Sequence, residues 1–336
     1  MKKVLLLFSA LLFLYIAHAC LNEYHVSKTG KETIDHFGMY NLHFIRDFNV
    51  TEINEELEIL LKDTSTNKEE ILTTKNDIAV KYIKLGKLNE AKSILEELSR
   101  EYPNEYNVIV NLGTLYELMG DNSKALGYIK KATLINTDSH RGSEWFHAKV
   151  LKYKLKNRTD EQIPGDLILN LNGSGLPAEE TAEEVAYQLK ERIPFTPVPN
   201  LMMAKILMEY GDYVADSISI EAAYVLYGIA QEYDAASVLP LTTRKNELLT
   251  VFKKFKKKAR VPDYKSYFVT SKEAEENKKA GKEVSNLLEN GLKKIFAKEE
   301  KKGEATSTFK SGIYIFGGII VSAFLIILFF RLKRKA

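Results

Sequence analysis

The sequence predicts an all-α fold: an α-α superhelix of stacked helix hairpins, flanked by further helices and ending in one transmembrane helix. Three observations carry this expectation. From Thr51 to Lys258 apolar residues recur at intervals of three and four, the period of an amphipathic helix. The stretch "KYIKLGKLNEA" (residues 81–91) is echoed thirty-four residues later by "LYELMGDNSKA" (residues 115–125), which pairs Tyr82 with Tyr116, Gly86 with Gly120 and Ala91 with Ala125. Finally, "GIYIFGGIIVSAFLIILFF" (residues 312–330) runs without a charge. Only 8 Pro and 18 Gly interrupt the 336 residues, which favours long helices, and 18 Tyr with 16 Phe supply a core.

Residues 1–19 join a basic start (Lys2, Lys3) to an apolar stretch and an A-x-A end, the pattern of a secretory signal peptide. Cys20 follows directly and is the only cysteine, so no intramolecular disulfide can form. Its position resembles a bacterial lipobox: Ala19 fits the last position, while Ala17 and His18 replace the usual larger aliphatic and small residues. Simple cleavage is the favoured expectation, with lipidation of Cys20 as the alternative. Residues 20–50 are aromatic-rich and irregular. Residues 51–158 read as helical repeats, with helices over 72–84, 89–102, 106–119, 122–135 and 143–156 separated by short breaks. The Gly/Pro/Asn-rich stretch 157–180 opens a second helical region, 159–258, with helices over 177–192, 199–210, 219–233 and 242–258. Residues 259–311 form a charged basic stalk holding one helix over 272–298. The run 312–330, at about 1.5 Å per residue, nearly spans a hydrocarbon core of about 30 Å. The basic tail 331–336 places the C-terminus in the cytoplasm and the body outside it, periplasmic in a Gram-negative cell. Gly318 and Ser322 form a small-xxx-small pair through which two such helices could dimerise.

The net charge of +3 is unevenly divided. Residues 251–310 carry 17 Lys/Arg against 9 Asp/Glu, a net of +8. With Lys2, Lys3 and the four cations of the tail also set aside, residues 21–250 carry −11. Such an acidic body is a poor partner for nucleic acid, whose phosphates need clustered cations. Most of the basic stalk reads as a solvated charged helix, with contact to the anionic head groups of the bilayer as the alternative.

The thirty-four-residue echo has a packing logic. Ala79 and Gly113 are small where the two helices of a hairpin press together, and Tyr82 and Tyr116 are large where the next layer must be filled. Gly86 and Gly120 sit at the turn, and Ala91 and Ala125 are small again on the second helix. Stacking such hairpins buries apolar stripes that no hairpin can bury alone. These residues resemble the tetratricopeptide repeat. One copy is carried by Ile78, Ala79, Tyr82, Gly86, Ala91, Leu95, Leu98 and Pro103. The second is carried by Leu112, Gly113, Tyr116, Gly120, Ala125, Ile129, Ala132 and Thr137. Leu98 departs from the family's small residue and Thr137 from its proline. "SEWFHAKVLKYKLK" (residues 143–156) supplies a first helix of a third unit without a good second one. A degenerate copy at residues 201–233 fits through Ala204, Leu207, Gly211, Ala223, Tyr227 and Ala230 if seven extra residues follow Gly211.

The resemblance implies a protein-protein interaction scaffold whose concave groove binds a peptide or partner protein. It places that groove at Asn76, Val80, Ile83, Lys84, Val110, Thr114, Glu117 and Leu118. The family's carboxylate-gripping version needs Lys and Asn where Asn76 and Val80 stand, so that ligand is not expected. The protein's own residues 21–50 are the alternative filling for the groove. No enzyme and no cofactor is expected: "NGSGLP" (residues 172–177) lacks the further Gly and Lys of a phosphate loop. The pairs His36/His43 and His140/His147 lack zinc-site spacing. Asp212 and Asp216 read as a solvated helix face, and the sequons at Asn49, Asn157 and Asn172 matter only in a eukaryotic secretory pathway. The competing expectation is an envelope enzyme or metal-binding protein using His25, His36 and His43.

Overall fold

The computed structural model describes residues 23–35, 39–137, 142–173, 175–256 and 259–302. The expected signal peptide, Cys20, the span 312–330 and the tail 331–336 lie outside these residues. Among the described residues, no helix is long and apolar enough to cross a membrane.

The architecture is of the all-α class, a repeat-like stack of helices compatible with a tetratricopeptide-type superhelix. Helix α1 (Val50–Leu61) starts at Asn49, whose side chain accepts from the Glu52 amide. Two hairpins follow: α2 (Lys68–Lys84) with α3 (Leu88–Glu101), then α4 (Tyr106–Leu118) with α5 (Asn122–Ile135). Each first helix ends in the same way. Gly86 and Gly120 adopt φ of +73° and +84°. In each turn the glycine N–H donates to Ile83 or Glu117 O, and the next N–H donates to Tyr82 or Tyr116 O at 2.9 Å. This double bond pattern satisfies the last helical carbonyls and requires a left-handed residue that only glycine adopts without strain. Between helices, a Cβ on Gly113 would lie 2.5 Å from Ile129 Cδ1, so the α4–α5 contact depends on its absence. Tyr116 bridges the layers: its hydroxyl donates to Glu96 Oε1 on α3 at 2.5 Å, and its ring stacks on Tyr128 at 5.5 Å.

Helix α6 (Glu144–Lys154) stacks on α5, and α7 (Ala178–Arg192) follows after residues 155–177. Residues 167–172, "LILNLN" within the Gly/Pro/Asn-rich stretch, make no strand. The Ile168 and Leu169 amides instead donate to the buried Glu209 carboxylate at 2.9 and 2.8 Å, which Lys205 neutralises at 3.4 Å. Two hydrophobic cores result: the repeat core contains Leu151 of α6, while the larger second core contains Phe146, Val150 and Tyr153 of the same helix.

The third hairpin, α8 (Leu201–Ser217) with α9 (Ile220–Tyr233), corrects the expected register. Gly211 lies inside α8, which runs to Ser217 rather than stopping at Tyr210. A Cβ on Gly211 would lie 2.5 Å from Tyr227 Cε1, as one on Gly113 would from Ile129. Gly211 is therefore the close-packing residue, equivalent to Ala79 and Gly113, and Ala223 and Ala230 match Ala91/Ala125 and Leu98/Ala132 at the same spacing. No seven-residue insertion is needed. The turn glycine is replaced by Ile218, with Ser219 capping α9 by accepting from Ala222 N–H at 3.2 Å.

Helix α10 (Leu241–Lys254) completes the second core. Residues 20–50, expected to be irregular, contain an antiparallel pair, β1 (Glu23–Val26) with β2 (Glu32–Asp35), turned at Gly30 with φ +87°. The Lys28 N–H fixes this hairpin to α8 by donating to Ala215 O at 2.7 Å. Strand β3 (Phe44–Ile45) pairs in parallel with β4 (Phe268–Val269), in register Phe44 with Phe268 and Ile45 with Val269. The first residues of the expected stalk thus belong to the body. Ala259 and Phe268 are core residues, the Tyr264 ring fills the space a Cβ on Gly228 would need, and Lys245 Nζ sits between Tyr224 and Tyr264 at 4.8 and 4.9 Å. Helix α11 (Ser271–Lys302) begins immediately afterwards, and the chain divides into two units after Ser271.

Candidate functional site

The first-helix positions named above meet in space. Val80, Ile83 and Lys84 of α2 and Val110, Thr114, Glu117 and Leu118 of α4 line one cavity of about 200 Å³. Asn76 stands apart from that lining, its side-chain oxygen accepting from Asn111 Nδ2 at 3.0 Å. The opposite wall is Gln188, Glu191 and Arg192 of α7 with Phe195 and Thr196 just after it, and α6 contributes Glu144, His147 and Lys154. Sequence reasoning placed none of these residues in the groove; of them it named only His147, as half of a histidine pair. The repeat-defining residues Ala79, Ala91, Ala125 and Tyr116 are buried behind the groove, as is Gly113, and Tyr82 is half-buried.

The floor is an ionic cluster on Glu117, whose side chain is only 5% exposed. Arg192 grips it with both terminal nitrogens, at 2.6 and 3.1 Å, and Lys154 Nζ donates at 2.7 Å. His147 Nε2 lies 2.5 Å from the second oxygen. Burial alone pushes the Glu117 carboxyl up, but the Arg192 charge and then the His147 hydrogen bond and charge outweigh it, holding the group well below its ordinary range. Because the carboxylate is ionised, it accepts, and His147 Nε2 carries the proton. On the other side of the ring, His147 Nδ1 is 4.0 Å from Glu144 Oε2, and Glu144 Oε1 accepts from the Tyr106 hydroxyl at 2.9 Å. His147, read from sequence as a packed or surface histidine, is buried in this network.

Above the floor the walls are mixed, with Val80, Ile83, Val110, Leu118 and Phe195 beside Asn111, Thr114 and Thr196. This is the composition of a site that takes an apolar side chain and fixes its orientation with a few polar contacts. Glu117 already accepts bonds from three residues, so the floor is a structural clamp between α4, α6 and α7.

A larger, shallower cleft of about 820 Å³ lies between the end of α6 and the near ends of α8 and α9. Of the histidines in the competing expectation, His43 packs its ring at a tilt against Tyr267, centres 4.5 Å apart, and burial followed by the nearby Lys190 charge lowers its pKa. His36 lies outside the described residues. Among the described residues no group of three His, Cys, Asp or Glu is placed to hold a metal ion. No family model matches the chain, and no curated protein matches it.

Proposed function

We propose that the protein is a membrane-anchored, tetratricopeptide-type scaffold of the cell envelope, with its body outside the cytoplasm, and that it captures a segment of a partner protein in the α2–α4–α7 groove. One observation carries this reading: eight first-helix residues from two hairpins converge on one cavity whose far wall comes from outside the repeats. The cavity is the size of one large side chain, and the polar groups around it suit the backbone of an extended segment. The apolar run 312–330 and its basic tail supply the anchor in this reading.

The test is site-specific photo-crosslinking of the full chain in native membranes. A photoreactive residue at Thr114, in the groove, is expected to give one defined partner adduct. The same residue at Leu134, 86% exposed on α5, gives none. Leu118→Glu removes the Thr114 adduct. Identical adducts from both positions, or adducts from Thr114 only within the chain, sink the proposal.

A further inference from the structure

A ring of the protein's own sits against two residues of the groove wall. Phe48, half-buried in the segment before α1, sets its ring edge-on against Phe195 at 4.7 Å and beneath Lys84 Nζ at 5.7 Å. Both neighbours line the cavity, whereas Phe48 does not. An aromatic ring held by a second ring edge-on and by an ammonium over its face fills a slot suited to its quadrupole. An aliphatic side chain gains neither contact.

Phe48 is also on a short leash. Three residues earlier, Ile45 pairs with Val269 in the β3–β4 ladder. The Arg46 N–H donates to Val269 O at 2.8 Å, the Arg46 guanidinium lies 5.2 Å from the centre of the Phe268 ring, and the Ser271 N–H donates to Asp47 Oδ1 at 2.6 Å. Ser271 is the first residue of α11. The strap that sets Phe48 in its slot is therefore tied to the root of the helix leading toward the C-terminus.

We infer that the space between Phe195 and Lys84 is an aromatic subsite, occupied in cis by Phe48, and that the partner segment presents a Phe, Tyr or Trp that displaces it. This deepens the groove reading and rests on it for the partner, while the subsite itself is tested separately. The cis occupant tells the chemistry of the trans one, because both must satisfy the same ring edge and the same cation. Displacement frees Phe48 and with it the strap at Arg46, Asp47 and Ser271, so occupancy of the groove is felt where α11 begins. A cis ligand also lowers apparent affinity by the fraction of time it fills the slot.

The probe is N-acetyl-phenylalaninamide, titrated against full-length protein in detergent by NMR of the Thr196 amide, which lies beside Phe195 and is present in every variant. Phe48→Ala is expected to bind the probe about 10-fold more tightly than wild type, since the competing ring is gone. Adding Phe195→Ala is expected to abolish that gain. Phe48→Leu, which keeps apolar volume, covers the case in which the Ala variant folds poorly, and it too is expected to gain affinity. Amide exchange at Arg46 and Ser271 is expected to be faster in Phe48→Ala, with the Lys87 amide of the α2 turn unchanged as a control. Equal probe affinity in wild type and the Phe48 variants, or a gain that survives Phe195→Ala, overturns the subsite. Unchanged exchange at Arg46 and Ser271 overturns the link to α11. Probe binding without any Thr114 partner adduct keeps the subsite and removes the scaffold reading.

Discussion

Glu117→Gln lowers the stability of the body by about 3–5 kcal/mol, the range for removing one partner from a buried ionic cluster. The substitution keeps the shape but leaves Arg192 and Lys154, 12% and 28% exposed, without the charge that compensates them. Denaturant unfolding of the variant should show a lower midpoint with an unchanged slope, because the surface exposed on unfolding is the same. Glu161→Gln, at an exposed site, should stay within about 0.5 kcal/mol of wild type. A loss near zero at Glu117 would mean that the cluster relaxes into solvent and does not clamp α7. The pH dependence follows from the depressed carboxyl. A group whose folded pKa lies below its unfolded value contributes stability that is fully present above the unfolded pKa. That contribution is lost as pH falls through the folded pKa. Wild type should therefore lose stability progressively below an ordinary glutamate value of 4.5. Glu117→Gln should lack that part of the acid sensitivity.

The next largest effect is expected at Gly211. Its Cβ in Gly211→Ala would fall 2.5 Å from Tyr227 Cε1 and 2.8 Å from Cδ1, so α8 and α9 must part or the ring must shift. Overpacking of this kind costs about 1–3 kcal/mol. Gly113→Ala should cost a similar amount against Ile129, whose Cδ1 and Cγ1 would lie 2.5 and 2.8 Å away. Removing the opposing atoms tests whether the two sites are the same position of one repeated unit. Tyr227→Ala should relieve Gly211→Ala, and Ile129→Ala should relieve Gly113→Ala, with coupling of about 0.5–3 kcal/mol in thermal or denaturant double-mutant cycles. Additive losses, or a neutral Gly211→Ala, would show that the third hairpin does not share the packing of the second.

Gly211 also shows where sequence reading reaches its limit. Glycine answers two demands, a left-handed turn and a close helix approach, and the letter alone does not say which. At Gly86 and Gly120 the helical period breaks beside it, so the turn was legible. At Gly211 the apolar period runs on through Tyr213 and Val214, and the continuation to Ser217 was the signal that the residue lies within the helix. The groove divides in the same way. Its α2 and α4 lining follows from helical spacing within a repeat, which is local information. Lys154 and Arg192 meet Glu117 across 37 and 75 residues, and only the path of the chain after α6 brings them there. The β3–β4 ladder is shorter still, two residues on each side, and no alternation can develop over that length.

Helix α6 has a consequence for how the body comes apart. Stacked repeats with separate cores can melt piecemeal, each unit coupled only to its neighbours. Here an eleven-residue helix gives Leu151 to one core and Phe146, Val150 and Tyr153 to the other, so neither half can lose its packing without stripping α6 from both. Its own hydrogen bonds are too few to hold so short a helix in water. The two halves therefore share one melting transition, and calorimetry should show a single peak in which calorimetric and van't Hoff enthalpies agree.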